Sequence, residues 1–404
     1  MLRGRHIAII QRTAISRFSS QHGLFRRQGK GESPRVMNVA DHHRDTHAIP
    51  PQFIQEQYWH YNKVKISDLE NDESVVNWDK GLNEEQAKVL KPVSTISKSA
   101  IEKACIAFRN AALGTEGDES PLETEIEDVT VYEHTDFPGL QIAPGILPPE
   151  TQVLWISQIM HKYMANPKHT INLQADFDIE YPEPETEDPE ETPSLFRYDP
   201  QSIHAAPKNP ETQKSLNMAQ MLSRKLRWLT LGEQYHWPTR SYPRNGPTTF
   251  PSDLSTLVSG LFPHIRPESG VCLLYGQKDY MPVHRDVSEL CERGLASFSF
   301  GCDGIFVIAR GEAELQEGED PKKRTVAIRV RSGDCVHMDG EIRWAWHAMP
   351  RTIPNSCPQW LAEWPAVKGD AAKRVSDKER RAYQRWKGFM GTKRLNVSVR
   401  QVWD

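Results

Sequence analysis

The sequence predicts a mixed α+β protein whose core is a double-stranded β-helix, the jelly-roll pairing of two sheets, with helices supporting one side. Three observations predict it. Short runs rich in β-branched and aromatic residues crowd the second half of the chain: Val271-Cys-Leu-Leu-Tyr275, Leu295-Ala-Ser-Phe-Ser-Phe300, Gly304-Ile-Phe-Val-Ile308 and Arg324 to Val330. Turn chemistry such as Ser332-Gly-Asp334 separates them. The last run, Lys393 to Gln401, alternates, with Leu395, Val397 and Val399 on one face and Arg394, Asn396, Ser398 and Arg400 on the other. Doubling such strands into two packed sheets is one way a chain manages exposed strand edges.

The elements follow in order. Met1 to Gly31 carries seven Lys or Arg and no acid before Glu32, the composition of a mitochondrial transit peptide, and predicts a mitochondrial destination, with nucleus or cytoplasm as further locations. Residues 32–130 read as an extension of mixed helix and loop, in which Ser99 to Asn110 is the clearest helix. A catalytic domain is expected over 131–404, entered through a strand at Leu140 to Ile146 and an amphipathic helix at Thr151 to Tyr163. Within it, about 176–194 is an acidic insert, since Asp176 to Glu191 holds nine carboxylates, three prolines and no Lys or Arg. A disordered surface loop is the expected state, an acidic plug for a basic site the rival. Between Lys368 and Arg394 the charge reverses. Tyr383, Trp386 and Phe389 at helical spacing predict an amphipathic helix there, docked beside the core with its basic side free for RNA.

Composition bounds the class. The 404 residues carry a net charge of −4, so the chain is no basic nucleic-acid coat, although the acidic insert masks local basic faces. A mean hydropathy of −0.63 and the lack of any long apolar run predict no membrane association. Six cysteines at 105, 272, 291, 302, 335 and 357 form no C-x-x-C pair and read as free thiols.

The chemistry concentrates at His284-Arg285-Asp286, with His347 sixty-one positions beyond Asp286 (347 − 286 = 61). Two histidines and one carboxylate can occupy one face of an octahedral Fe(II), leaving the opposite face for a cosubstrate and O₂. The tripeptide alone decides nothing, because H-x-D also occurs at His43, His134 and His337. Those three lie in a polar segment or run into turns, whereas His284 sits among strand-like runs, and ligands at i and i+2 of a strand share a face. A kinase catalytic loop also contains H-R-D, but here Cys291 stands where its asparagine would be, and no G-x-G-x-x-G precedes it.

Taken together and in order, these residues resemble the AlkB-type Fe(II)/2-oxoglutarate dioxygenases, and among them the AlkB homologue 1 branch. The shared order is Tyr275 nine residues before His284, then Asp286, His347 and Arg394-Leu-Asn396-Val-Ser-Val-Arg400. The branch is marked by Lys225 to Gly232 with Tyr235 and Trp237, by Phe250-Pro-Ser-Asp-Leu254, and by Arg285-Asp-Val-Ser-Glu289. The likeness covers about Tyr132 to Trp403. It implies that His284, Asp286 and His347 ligate iron and that Tyr275, Arg394, Asn396 and Arg400 bind 2-oxoglutarate, Arg394 with Tyr275 at the distal carboxylate and Arg400 nearer the Asp286 side. Two positions depart from the wider pattern: Leu273 replaces a usual asparagine, and Ser288 stands where many relatives carry an acid that reads the base.

The resemblance also implies the reaction. With Fe(II), 2-oxoglutarate and O₂, a methylated base is oxidised and an N-methyl group leaves as formaldehyde. The expected substrate is tRNA or another nucleic acid with methylated bases, as a tRNA N1-methyladenine demethylase or 5-methylcytosine oxidase. DNA N6-methyladenine demethylation and protein hydroxylation or demethylation on the same iron site are the alternatives, and a non-catalytic RNA-binding module is a further rival. Basic and aromatic residues interleave in Arg224-Lys-Leu-Arg-Trp228 and Tyr235-His-Trp237, a mix that neutralises phosphates and stacks bases. Trp228, Tyr235, Ser288 and Glu289 are the candidate substrate contacts. The competing reading of the first segment is a core strand, since Leu226, Trp228 and Thr230 alternate with Arg227 and Leu229.

Overall fold

The structure is a computed structural model that describes residues 45–166, 168–184, 193–236, 239–243, 249–311, 313–366 and 375–403. The transit-like segment, the centre of the acidic insert at 185–192, His43, Trp237, Lys368, Lys373 and Arg374 lie outside the described residues.

Five helices matter for the site: α1 (Gln52–Lys63), α2 (Lys98–Leu113), α3 (Pro149–Ser157), α4 (Ser252–Leu261) and α5 (Asp377–Gln384). The strands in chain order are β1 (Val75–Val76), β2 (Leu90–Ile96), β3 (Val129–His134), β4 (Leu140–Ala143), β5 (Phe177–Ile179), β6 (Ala205–Pro207), β7 (Trp228–Gly232) and β8 (Ser269–Gly276). They continue as β9 (Met281–His284), β10 (Leu295–Gly301), β11 (Gly304–Ala309), β12 (Thr325–Val330), β13 (Cys335–Met338), β14 (Trp346–Thr352) and β15 (Lys393–Arg400). An eight-stranded antiparallel sheet runs β2-β3-β4-β13-β10-β15-β8-β7, and a five-stranded sheet runs β1-β12-β11-β14-β9, antiparallel except for the β1 to β12 pair. The short β5 and β6 pair apart from both.

The two sheets pack face to face. Leu140, Ile142, Leu295, Val336 and Met338 of the larger sheet bury against Ile308, Val326, Ile328 and Met349 of the smaller. Alternation along β10 sends Ala296, Phe298 and Phe300 to the other side, where they meet Leu254 and Leu257 of α4 and Trp155 of α3. Trp155 lies 4.8 Å from Phe298 and 5.2 Å from Phe300, ring centre to ring centre. Full burial of each such ring stabilises by roughly 3 kcal/mol, so this layer fixes the position of β10 and its neighbour β15.

Residues 45–130 do not stand apart from this core. β1 extends the smaller sheet and β2 caps the larger. Helix α1 lays Phe53, Ile54 and Tyr61 on Ile305, Val307 and Trp346 of the smaller sheet. Helix α2, expected over 99–110, starts where the Ser97 hydroxyl accepts from the Ala100 amide and stops at left-handed Gly114. It presses on α4 so closely that a Cβ at Gly260 would lie 2.8 Å from that of Ala104. Two expected helices are shorter than their patterns. The first keeps α geometry only to Ser157 before a wider π turn over Gln158–Tyr163, and α5 ends at Gln384, with Trp386 and Phe389 buried from the following turns.

Candidate active site

A cavity of about 570 Å³ opens between the sheets, and it gathers nearly every residue the sequence nominates. His284 closes β9 and faces His347 of β14 as its direct cross-strand partner. Their rings lie 4.3 Å apart. Asp286 is in the loop just past β9, not on the strand as the i and i+2 argument assumed, yet its Oδ1 comes 3.8 Å from His284 Nε2. Donor atoms of His284, Asp286 and His347 all lie within 4.8 Å of one another, a grouping that could hold one metal ion.

Backbone carbonyls orient both imidazoles. His284 Nδ1 lies 2.8 Å from the Pro282 carbonyl and His347 Nδ1 lies 3.0 Å from the Ala345 carbonyl, so each Nδ1 carries the proton and donates it. The Nε2 lone pairs are thereby turned inward, an arrangement typical of metal-binding histidines. Burial first, and then the adjacent His284 ring, push His347 down to about 4, which keeps it neutral at physiological pH. Burial alone would raise Asp286, but Arg400 first, then His347, His284 and Arg343, hold it well below the usual carboxylate range.

That loop is fixed by a buried ion network. Arg400 Nη1 reaches Asp286 Oδ2 at 2.9 Å and Glu289 Oε1 at 2.8 Å. Arg343, fully buried, pairs with Glu289 at 3.0 Å and donates to the Asp286 carbonyl at 2.8 Å. Glu289, nominated as a substrate contact, therefore has its charge committed to two arginines behind the metal-facing carboxylate. Tyr242 adds a hydroxyl 3.3 Å from Glu289. Sequence reasoning misses Arg343 and Tyr242, because nothing local in the sequence marks a residue whose partner is about fifty positions away.

The opposite wall is β15. Its alternation is as read: Arg394, Asn396, Ser398 and Arg400 line the cavity, while Leu395, Val397 and Val399 enter the helix-side core. Arg394 is fully buried and pairs across to Tyr275 of β8. It donates to Ser299 Oγ at 2.8 Å and to the Cys302 carbonyl at 3.4 Å, its Nε has no partner, and among the described residues no carboxylate pairs with it. A buried cation held only by neutral acceptors is costly unless an anion joins it. Burial accordingly lowers the Arg394 pKa. The space beside the guanidinium exists because residue 304 is glycine: a Cβ there would lie 2.9 Å from Arg394 Nε and 2.6 Å from Met349 Sδ. Asn396 gives its amide to Ser297 Oγ and the Phe298 carbonyl, at 2.8 and 3.0 Å. Leu273 lines the same wall.

At the mouth, Trp228 and Tyr235 line the cavity as expected. Tyr235 packs edge-on to Tyr242 at 5.3 Å, and Ser288 donates to the Arg240 carbonyl at 2.9 Å. Arg240 holds a left-handed backbone at φ 50°, a strain of about 1–3 kcal/mol that tends to be kept at functional sites. Arg227, in contrast, is paired with Asp279 at 3.1 Å. No described helix is long and apolar enough to cross a membrane.

The family model for the 2OG-Fe(II) oxygenase superfamily matches residues 139–400, the span that contains both walls of the cavity. The chain is 36% identical over 293 residues to the N6-methyladenosine RNA demethylase ALKB1 of Pyricularia oryzae, a match covering 70% of this chain and 80% of that protein. It is 38% identical to the N6-methyladenosine RNA demethylase ALKBH of Cryphonectria parasitica, over 56% of this chain and 98% of the relative. It is 30% identical to the tRNA demethylase abh1 of Schizosaccharomyces pombe, over 67% of this chain and 82% of the relative. The chain belongs to the 2OG-Fe(II) oxygenase superfamily and, within it, to the homologue 1 branch of the AlkB dioxygenases, and it is a 2-oxoglutarate-dependent oxygenase.

Proposed function

We propose that this enzyme removes N-linked methyl groups from adenine in RNA, with tRNA N1-methyladenine and RNA N6-methyladenine as the substrates to test first, using Fe(II), 2-oxoglutarate and O₂. The observation that carries the reading is the pairing, across one cavity, of an inward-facing His284, Asp286, His347 group with the buried guanidinium of Arg394, to which no carboxylate among the described residues is paired. The first suits a divalent metal, the second a dicarboxylate, and few chemistries need both. We read the two stacked sheets as the double-stranded β-helix and residues 139–400 as its extent.

In this reading His284, Asp286 and His347 would hold the iron, and Arg394 with Tyr275 would hold the far carboxylate of 2-oxoglutarate. Bound together, the metal and cosubstrate supply oxidation of a C–H bond by O₂, with succinate and CO₂ released. The chain supplies everything else. Arg400 and Arg343 keep Asp286 ionised and aimed, the Pro282 and Ala345 carbonyls fix the histidine tautomers, and the apolar walls exclude water. Asn396 acts by holding Ser297 and β10 in register, and Glu289 by holding the two arginines. Trp228 and Tyr235 offer aromatic faces to a base brought out of its stack, and Ser288 fixes the Arg240 loop. Hydroxylation of an N-methyl group gives a hemiaminal, which breaks its C–N bond to release formaldehyde.

Adenine is preferred over 5-methylcytosine because the fungal relatives are named for adenosine or tRNA demethylation. The N-terminal composition supports a mitochondrial site of action. The test is nucleoside mass spectrometry on total tRNA, messenger RNA and DNA incubated with the enzyme, iron and 2-oxoglutarate. Loss of a methyladenosine from RNA supports the proposal. Loss confined to DNA, or oxidation confined to 5-methylcytidine, replaces it.

A further inference from the structure

The turn between β10 and β11 carries a thiol that faces a second one, and neither the metal nor the cosubstrate uses them. Cys302 is fully buried there, and Cys357 is half-buried in the loop that follows β14. Residues beside the two cysteines lock their segments together: the Asp303 amide donates to Ser356 Oγ at 2.8 Å, and the Ile353 amide to the Asp303 carbonyl at 2.8 Å. Ser356 Oγ in turn donates to the Ile353 carbonyl at 2.7 Å, and Asn355 bends the loop back in a left-handed backbone at φ 60°. Two cysteines 55 positions apart (357 − 302 = 55) are thereby brought side by side.

Hydrogen bonding from the Cys357 thiol, and then from its amide, lowers the pKa of Cys302, and the same contact raises that of Cys357. Each sulfur also lies 3.7 Å from a weakly accepting backbone carbonyl, that of Gly391 for Cys302 and of Pro358 for Cys357. Of the six cysteines, five are buried, and Cys357 is the one a small oxidant reaches from solvent. Cys302 is tied to the cosubstrate wall as well. Its amide donates to the Lys393 carbonyl at 2.7 Å, and its carbonyl accepts from Arg394 Nη1 at 3.4 Å. The turn has no slack, since Gly301 sits at φ 79° and a Cβ there would lie 2.3 Å from the Lys393 carbonyl oxygen.

From this geometry we infer that Cys302 and Cys357 form a redox-active dithiol that hydrogen peroxide converts to a disulfide, and that the disulfide loosens the hold of Arg394 on 2-oxoglutarate. The second half rests on Arg394 as the anchor of the cosubstrate. Cys357 attacks one peroxide oxygen as the thiolate; the O–O bond breaks, and the leaving hydroxide takes up the Cys357 proton as water. The raised pKa of Cys357 keeps its thiolate scarce, so this step is the slow one. Cys302 then attacks the sulfenic sulfur of Cys357, the S–O bond breaks, and a second water leaves with the Cys302 proton. Two thiols have lost two electrons and two protons, and one peroxide has become two waters. An S–S bond is about 2.05 Å long, shorter than any contact between two thiols, so closing it draws Cys302 toward Cys357 and its carbonyl away from Arg394. Loss of a hydrogen bond from a charged donor weakens binding by about tenfold.

The experiment uses the full chain with Mn(II) in place of iron, so that no iron-driven oxidation competes. Protein treated with hydrogen peroxide and then freed of it is digested without reductant, and mass spectrometry seeks Cys302 and Cys357 in one linked peptide. Calorimetry measures 2-oxoglutarate binding before oxidation, after it, and after dithiothreitol. The expected result is the linked peptide, an affinity about tenfold lower, and full recovery on reduction. Cys357→Ser keeps the reduced affinity within about twofold and no longer responds to peroxide. No link at any peroxide concentration, or either sulfur carried to sulfinic acid without one, overturns the dithiol. A linked protein that binds 2-oxoglutarate as tightly as before overturns its coupling to Arg394. Reduced protein that binds no 2-oxoglutarate refutes the cosubstrate reading of Arg394, while the linked peptide still decides the dithiol.

Discussion

Arg394→Met separates the cost of a buried cation from its use. The arginine loses two hydrogen bonds, to Ser299 Oγ at 2.8 Å and the Cys302 carbonyl at 3.4 Å, worth about 1 kcal/mol each. Against this, methionine removes a fully buried charge with which no carboxylate among the described residues pairs, a penalty of several kcal/mol. The ligand-free variant should therefore stay within about 2 kcal/mol of wild type, or exceed it. Cosubstrate binding should behave oppositely. Losing a buried carboxylate partner costs about 3–5 kcal/mol, or about a hundredfold or more in affinity. With Mn(II) in place of iron and no oxygen, 2-oxoglutarate at a hundred times its wild-type dissociation constant should stabilise wild type by about 2.7 kcal/mol, roughly 3–4 °C in Tm for a chain of this length. At that concentration the variant should gain only about 0.4 kcal/mol, roughly 0.5 °C. A variant that loses more than about 4 kcal/mol without ligand, yet retains the full 2-oxoglutarate shift, would refute the reasoning.

Further outcomes follow from the same geometry. Gly304→Ala sets a methyl 2.9 Å from Arg394 Nε, so the KM for 2-oxoglutarate should rise by about tenfold or more while circular dichroism is unchanged. Glu289→Gln leaves Arg400 and Arg343 short of a buried charge, so urea denaturation should show a loss of about 3–5 kcal/mol and iron titration a 10–100-fold weaker site. Stability should fall in acid through buried histidines: His161 is held down to about 3, and His169 and His337 to about 4, each chiefly by burial. A depressed histidine is neutral when folded and takes up a proton on unfolding, so its contribution is complete above about pH 6.5 and declines as the pH drops from there toward 3–4. Denaturant midpoints across that window check this, and His161→Phe should flatten the slope; an unchanged slope would show that other groups set it.

Much of the site was legible because its chemistry is carried by short spacings. His284 and Asp286 are two apart, and β15 alternates residue by residue, so one correct strand assignment places Arg394, Asn396, Ser398 and Arg400 on the cavity face together. What was not legible depends on long-range closure. Arg343 meets Glu289 only after β13 and the turn beyond it bring them together, and nothing at residue 343 signals that. The segment before residue 131 looked like an appendage because β1 has two residues and β2 is largely solvent-facing, too little pattern to announce strands that extend both sheets. Asp286 slipped off the strand because β9 ends at His284, and the i and i+2 rule places both residues on one face only while the strand lasts. Glu289 looked like a substrate contact because its stretch matched a family signature; two buried arginines decide its role instead.

The most direct test counts products. The full chain is incubated with Fe(II), 2-oxoglutarate, O₂ and an RNA carrying N-methyladenine, and formaldehyde and succinate are measured beside Asp286→Ala. The account predicts matching yields of both products from wild type, and neither from the variant, which stays folded and still binds the RNA. Full turnover by Asp286→Ala would contradict it, because the carboxylate held by Arg400 would then not be the one on which the reaction depends.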